Sequence, residues 1–87
     1  MTSRCTKAFW KQYKKLQPAD RKQAQKAYQL WANNTAHPGL YFKPLEGQTE
    51  DVWSARVGTL RAVCVKSDDT FIWFWVGTHA EFDKEFQ

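Results

Sequence analysis

Apolar positions along the chain change their period twice. Between residues 7 and 16, Phe9, Trp10, Tyr13 and Leu16 fall at i, i+1, i+4 and i+7, one face of a helix at 3.6 residues per turn. Thr6 stands before it as an N-cap, and Ser3–Thr6 fits a short preceding strand. Lys7, Lys11, Lys14 and Lys15 repeat at helical spacing on the opposite side, a continuous basic stripe. Gln17-Pro18-Ala19-Asp20 ends this helix and starts another. Pro18 suits a first turn, where its missing N–H has no partner to lose, and Asp20 complements the positive helix end. Ala24, Ala27, Tyr28 and Trp31 form the second apolar face, whose small residues would allow close packing against the first helix. Asn33-Asn34 stops it.

His37-Pro38-Gly39 is turn chemistry, after which Leu40, Phe42 and Leu45 alternate in part and are expected to lie across the core. Residues 46–51 are a polar loop. From Val52 the period becomes two: Trp53, Ala55 and Val57 face one way, Ser54 and Arg56 the other. Residues 58–60 turn, residues 61–66 form the next strand, and residues 67–70 make a hairpin loop. Phe71–Val76 is apolar on both faces and is expected to be an interior strand. Residues 80–86 fit a short terminal helix. The order predicts one α+β domain spanning residues 1–87, a two-helix hairpin packed on a small, mostly antiparallel sheet.

Composition narrows the function classes. The chain has 87 residues, 43% of them apolar, with 6 Phe, 5 Trp and 3 Tyr to fill a small core. Its longest apolar run, Phe71–Val76, is far short of the ~20 residues a spanning helix needs, and no signal peptide is expected at the N-terminus. Cys5 and Cys64 exclude a disulfide framework and a four-cysteine zinc site, and are expected to be reduced thiols of a cytoplasmic protein. The net charge of +4 is divided unevenly. Residues 1–44 hold nine basic residues against Asp20 alone, +8; residues 45–87 hold four against eight acids, −4. Such a split predicts a face that meets nucleic acid or an acidic protein.

Several segments together resemble the RelE/ParE superfamily. They are Lys7-Ala-Phe-Trp-Lys-Gln-Tyr-Lys-Lys-Leu16, Phe42-Lys-Pro-Leu45, Val52-Trp-Ser-Ala-Arg-Val57, Leu60-Arg-Ala-Val63 and Val76-Gly-Thr-His-Ala-Glu-Phe-Asp83. The resemblance covers roughly residues 4–86. It implies the toxin of a bacterial type II toxin–antitoxin pair, with two helices on a curved sheet and an acidic antitoxin as partner. The RelE-like branch cleaves messenger RNA on the ribosome without a metal or other cofactor; the ParE-like branch is not a nuclease and inhibits DNA gyrase. A third alternative is a member that only binds nucleic acid or antitoxin.

Metal-free RNA cleavage calls for cations on the phosphate and a proton donor. Arg56 and Arg61 flank one hairpin and can converge on one phosphate; otherwise they are surface arginines paired with Glu50, Asp51 or Asp83. The resemblance implies a transition-state role for Arg61 and a proton-transfer role near His79, which follows the central strand. The plainer role for His79 is a helix cap, and His79 with Glu81 or Asp83 offers too few ligands for a metal. Lys43 is a candidate phosphate contact, as is the stripe Lys7, Lys11, Lys14 and Lys15. Ser54 stands where several nuclease relatives carry a lysine, and no residue is identified as the general base.

Overall fold

Thr6 ends the first strand and starts the first helix at once. In the computed structural model, which describes residues 2–86, its N–H donates to the Trp73 carbonyl at 2.9 Å while its hydroxyl accepts from Phe9 N–H at 3.1 Å. The strand β1 is therefore Thr2–Cys5, one residue earlier than the pattern predicts, and α1 is Lys7–Lys14. There follow α2 (Pro18–Asn33), a short 3-10 helix (Pro38–Leu40), β2 (Lys43–Pro44), β3 (Val52–Val57), β4 (Leu60–Ser67), β5 (Thr70–Thr78) and α3 (His79–Phe86). The five strands form one sheet in the order β1-β5-β4-β3-β2, antiparallel except where β1 runs parallel to β5 at one edge. The predicted α+β class and mostly antiparallel sheet are what the chain builds. No helix among the described residues is long and apolar enough to cross a membrane.

Both faces of the sheet carry a core. On one face Trp31 of α2, 2% exposed, meets Phe42, Phe71 and Trp73 edge-on, with Ala55, Val57, Leu60 and Ala62 beneath and Phe9, Tyr13 and Leu16 packed against the cluster. On the other, Phe82 of α3 buries against Val52 and Val63, with Trp75 and Phe86 beside them. The apolar run of β5 serves both faces through a bulge. Val63 pairs with Trp75 and Cys64 with Trp73, so Phe74 is the extra residue. Trp73 and Val76 consequently share the α1/α2 side, and Trp75 faces α3.

Two features go beyond what the pattern predicts. Leu40, Phe42 and Leu45 do lie across the core, but the pattern predicts no strand there, whereas Lys43–Pro44 pairs with β3 just after Tyr41, whose left-handed conformation (φ 46°, ψ 43°) interrupts the alternation. The chain enters the two cores separately, Leu40 and Phe42 in the first and Leu45 against the second. The helices α1 and α2 also do not close on one another. A groove of about 650 Å³ runs between them, walled by Phe9, Trp10 and Tyr13 on one side and Ala27, Tyr28 and Trp31 on the other. Both helices rest on the sheet, and the large rings of α1 hold them apart. A Gln25–Tyr13 hydrogen bond of 2.8 Å bridges the gap.

Candidate active site

The hairpin between β3 and β4 fixes the central pair. Its two-residue turn, Gly58-Thr59, needs a left-handed first residue, and Gly58 supplies it with φ 59°. A side chain there would also displace the Gln23 side-chain amide. A two-residue turn leaves one register: Val57 opposite Leu60, then Arg56 opposite Arg61. Because Val57, Leu60 and Ala62 face α1 and α2, both arginines project to the α3 side.

Like charges directly opposite on neighbouring strands are destabilising, so this pairing has a cost. The side chains relieve it on aromatic rings. The Arg56 guanidinium lies over Tyr41 and that of Arg61 over Phe82, each 5.5 Å from the ring centroid. The alternative partners are placed otherwise: Asp51 accepts from Trp53 Nε1 at 2.7 Å, and Asp83 lies against His79. Among the described residues neither arginine has a carboxylate within ion-pair distance.

α3 begins where β5 ends, through a reciprocal cap. Glu81 N–H donates to the Thr78 hydroxyl at 3.1 Å, and Thr78 N–H donates to Glu81 Oε1 at 2.9 Å. The Thr78 N–H and then its hydroxyl hold the Glu81 carboxyl below its ordinary value. This cap sets His79 as the first helical residue, where its N–H donates to the Thr59 carbonyl at 3.2 Å. The helix start is thereby tied to the turn that carries the arginines. The imidazole, 58% exposed, has Nε2 3.5 Å from Asp83 Oδ1 and lies 6.5 Å from the Phe82 ring. Arg61 and His79 thus share Phe82, which is 2% exposed. Gly77, opposite Arg61 in β5, keeps this corner open: a Cβ would come within 2.8 Å of the Trp75 ring and 3.0 Å of Glu81 Oε1.

The remaining candidates divide. Lys43 is exposed and stands opposite Ser54, one row along the same face from Arg56, a spacing of about 7 Å. Ser54 is 1% exposed, a buried hydroxyl with no hydrogen-bond partner among the described residues. Lys7, Lys11 and Lys14 are exposed on α1, across the sheet from the arginines, and do not join them. Lys15 alone reaches the rim of a cleft of about 590 Å³ that passes Gly77, Thr78, Glu81 and Lys84. No three His, Cys, Asp or Glu residues among those described gather as metal ligands.

Sequence reasoning named Arg56, Arg61, His79 and Lys43 on one face but missed three contributors. The Thr78–Glu81 cap was legible as T-x-x-E. Phe82 was legible as the apolar residue of a short amphipathic helix. Tyr41 had no signal, because its position depends on a left-handed backbone at a tyrosine. Together the face carries two cross-strand guanidiniums, each over a ring; Arg61 and His79 both lie beside the ring of Phe82, with Asp83 against His79.

No family profile matches the sequence, and neither does any curated protein. Solved structures do match. A chain of the RelB–RelE antitoxin–toxin complex from Methanococcus jannaschii superposes with a TM-score of 0.75 at 23% identity, over 95% of this chain and 98% of that one. YafQ from E. coli gives 0.74 at 20% identity, over 92% and 94%. The toxin–antitoxin complex RelBE2 from Mycobacterium tuberculosis gives 0.62 at 26% identity, over 91% of each chain. The resemblance read from the sequence holds at the level of architecture: this chain has the RelE-type toxin fold.

Proposed function

We propose that the protein is the toxin of a toxin–antitoxin pair and cleaves messenger RNA on the ribosome by metal-independent transfer to the 2′-hydroxyl. The observation that carries the reading is the Arg56–Arg61 pair, two cations set opposite each other with rings, and among the described residues no carboxylate, beside them. In this reading the 2′-oxygen attacks the adjacent phosphorus, its proton passing to water, and the bond to the 5′-oxygen breaks. A 2′,3′-cyclic phosphate and a 5′-hydroxyl result. Charge on the phosphorane oxygens is stabilised by the two guanidiniums, which can each donate two hydrogen bonds. His79, held by Asp83, delivers a proton to the leaving 5′-oxygen. Lys43 takes the neighbouring phosphate.

The partner in this reading is an acidic antitoxin. Two of the structural neighbours are toxin–antitoxin complexes. The groove between α1 and α2 has apolar walls, and the helices that form it carry Lys7, Lys11, Lys14, Lys22 and Lys26. An amphipathic helix with acidic edges suits both features. The protein acts in the cytoplasm, where ribosomes and antitoxin meet it.

Primer extension on programmed ribosomes, run beside a gyrase supercoiling assay, tests the proposal. Cuts within the ribosome-bound message, lost in His79→Ala by a factor of about 10²–10⁴, are expected. Intact message with trapped gyrase–DNA cleavage identifies the ParE-like activity instead.

A further inference from the structure

Three large apolar side chains are exposed among the described residues: Trp10, Tyr28 and Tyr41. Trp10 and Tyr28 wall the groove between α1 and α2. Tyr41 is the one that lies against the arginine face, with the Arg56 guanidinium over its ring and 59% of its surface open.

Its placement is imposed by its neighbours. Leu40 is buried and Phe42 packs into the same core, so the residue between them must point away from it. The left-handed backbone (φ 46°, ψ 43°) makes that turn in a single residue, and Tyr41 N–H donates to the Pro38 carbonyl at 3.4 Å. Glycine, asparagine or aspartate occupies such a conformation most easily. A large ring held there, mostly in solvent, gains little from packing. The Arg56 guanidinium lies over the Tyr41 ring at 5.5 Å, and the residue opposite Arg56 in the neighbouring strand is Arg61. An aromatic platform thus adjoins the two cations through its contact with Arg56. Single-stranded nucleic acid is bound by that combination: cations on the backbone and a ring under a base.

We propose that Tyr41 is a nucleobase platform, on whose open face stacks the base of the nucleotide next to the phosphate held by Arg56 and Arg61. The proposal rests on the reading of this face as an RNA site and adds to it the position of a base. One side of the ring is covered by Arg56, so one base stacks, not two. Stacking takes any base, with purines offering the larger surface, and the hydroxyl of Tyr41 is not required.

The test uses the full chain and synthetic RNA trinucleotides carrying 2-aminopurine, whose fluorescence is quenched on stacking, with a 2′-deoxy sugar at the scissile position to prevent cleavage. Wild type and Tyr41→Phe are expected to bind alike and to quench the probe. Tyr41→Ala is expected to bind about 5- to 150-fold more weakly without quenching, the equivalent of ~1–3 kcal/mol for one stacked base. Trinucleotides abasic at that position should bind wild type and Tyr41→Ala equally. Tyr41→Trp should restore both affinity and quenching, which a merely structural role for the tyrosine would not predict. Unchanged affinity and quenching in Tyr41→Ala overturn the proposal, as does absence of trinucleotide binding by the wild type. A loss confined to antitoxin binding overturns it too, by making the ring a protein contact. Ribosomal cleavage, measured in parallel, separates the two claims. Cleavage by wild type with unaltered stacking in Tyr41→Ala defeats the platform alone, and stacking without cleavage defeats the nuclease reading alone.

Discussion

Arg56 and Arg61 face each other from adjacent strands, yet their guanidiniums rest on two different rings, Tyr41 and Phe82, each at 5.5 Å. The energies involved are comparable. Two charges about 4 Å apart in water repel by ~1 kcal/mol, and a solvent-exposed cation–π contact returns ~0.5–1 kcal/mol. The repulsion and the ring contacts are therefore close to balance. In the proposed reading, a phosphate between the two cations would offset the repulsion and add charge-assisted hydrogen bonds.

Removing Arg61 should consequently cost activity far more than stability. Arg61→Ala is expected to slow single-turnover cleavage by about 10²–10³, or 2.7–4 kcal/mol, the cost of losing one preorganised donor to a developing charge. Its folding free energy should change by no more than ~1 kcal/mol, the worth of the interaction with Phe82. Arg61→Lys should recover little, because an ammonium neither lies flat on a ring nor offers two parallel donors. Cleavage at the wild-type rate by folded Arg61→Ala would assign the residue a structural role.

Glu81 gives the fold a dependence on acid. Its carboxyl is held below the ordinary 4.5 by the Thr78 N–H and hydroxyl, so the folded state favours the charged form. That contribution is complete above the ordinary carboxylate value and is lost as pH falls through the lower folded value. The group is nearly open to solvent, which keeps the effect small and sensitive to salt. Glu81→Gln retains an acceptor oxygen but no ionisation. Its melting temperature should fall less than that of the wild type on acidification below pH 4.5. Parallel curves for the two proteins would mean that the cap contributes nothing through charge.

Much of this architecture was legible in the sequence because local rules and tertiary packing agree. The hairpin that carries Arg56 and Arg61 was legible, though the pattern places its turn at residues 58–60 whereas Leu60 already pairs with Val57; α1, α2, β3 and β4 follow from hydrophobic periods of 3.6 and 2. Phe71–Val76 concealed its bulge: in a run apolar on both faces, inserting Phe74 changes no pattern, and only the two separate cores reveal which residue is extra. Tyr41 was illegible for a different reason. A left-handed tyrosine goes against local preference, and it is the burial of Leu40 and Phe42 on either side that imposes it. Ala24 and Ala27 allow close helix packing without requiring it, and Trp10, Tyr13 and Tyr28 line a groove between the helices instead.

Cys64 should report global unfolding. Burial, then the charge of Asp51, pushes its thiol up to about 12, against a lowering by the Trp53 backbone hydrogen bond. The thiolate is the reactive form, so the folded protein should leave Cys64 unalkylated at pH 8 while Cys5, half-buried, reacts slowly. The raised value also sets a sign: stability is complete below the unfolded thiol's value of 9.0 and declines as pH rises from there toward about 12. Labelling of Cys64 at the rate of Cys5 under native conditions would show that β4 opens locally.

Gly77 tests how closely α3 must approach the sheet. A methyl group there meets the Trp75 ring at 2.8 Å and Glu81 Oε1 at 3.0 Å, both parts of the corner that seats His79. Gly77→Ala should destabilise by about 1–3 kcal/mol, the usual range for overpacking, and should displace the start of α3. Cleavage should then fall further than a disturbance of Arg61 alone explains, because His79 moves with the helix. A variant with wild-type melting and activity would show that Trp75 swings aside freely.

The lysines of α1 lie across the sheet from the arginines, and that separation makes their roles separable by experiment. Lys7, Lys11 and Lys14 are exposed and contribute no group to the face that holds Arg56, Arg61 and His79. Replacing all three with glutamine removes three of the nine basic residues in the N-terminal half. If they meet an acidic partner, its association rate should drop most at low salt and converge with the wild type as the Debye length shrinks from ~10 Å at 0.1 M to ~3 Å at 1 M. If they meet RNA on the ribosome, the slope of log K against log salt should fall by about 0.7 for each phosphate that is no longer neutralised. Either way, single-turnover cleavage at saturating ribosomes should be unchanged, since the proposed reading puts the chemistry on the other face. A fall in that rate in the triple variant, with melting intact, would place these lysines within reach of the reacting phosphate and contradict the division of roles between the two faces of the sheet.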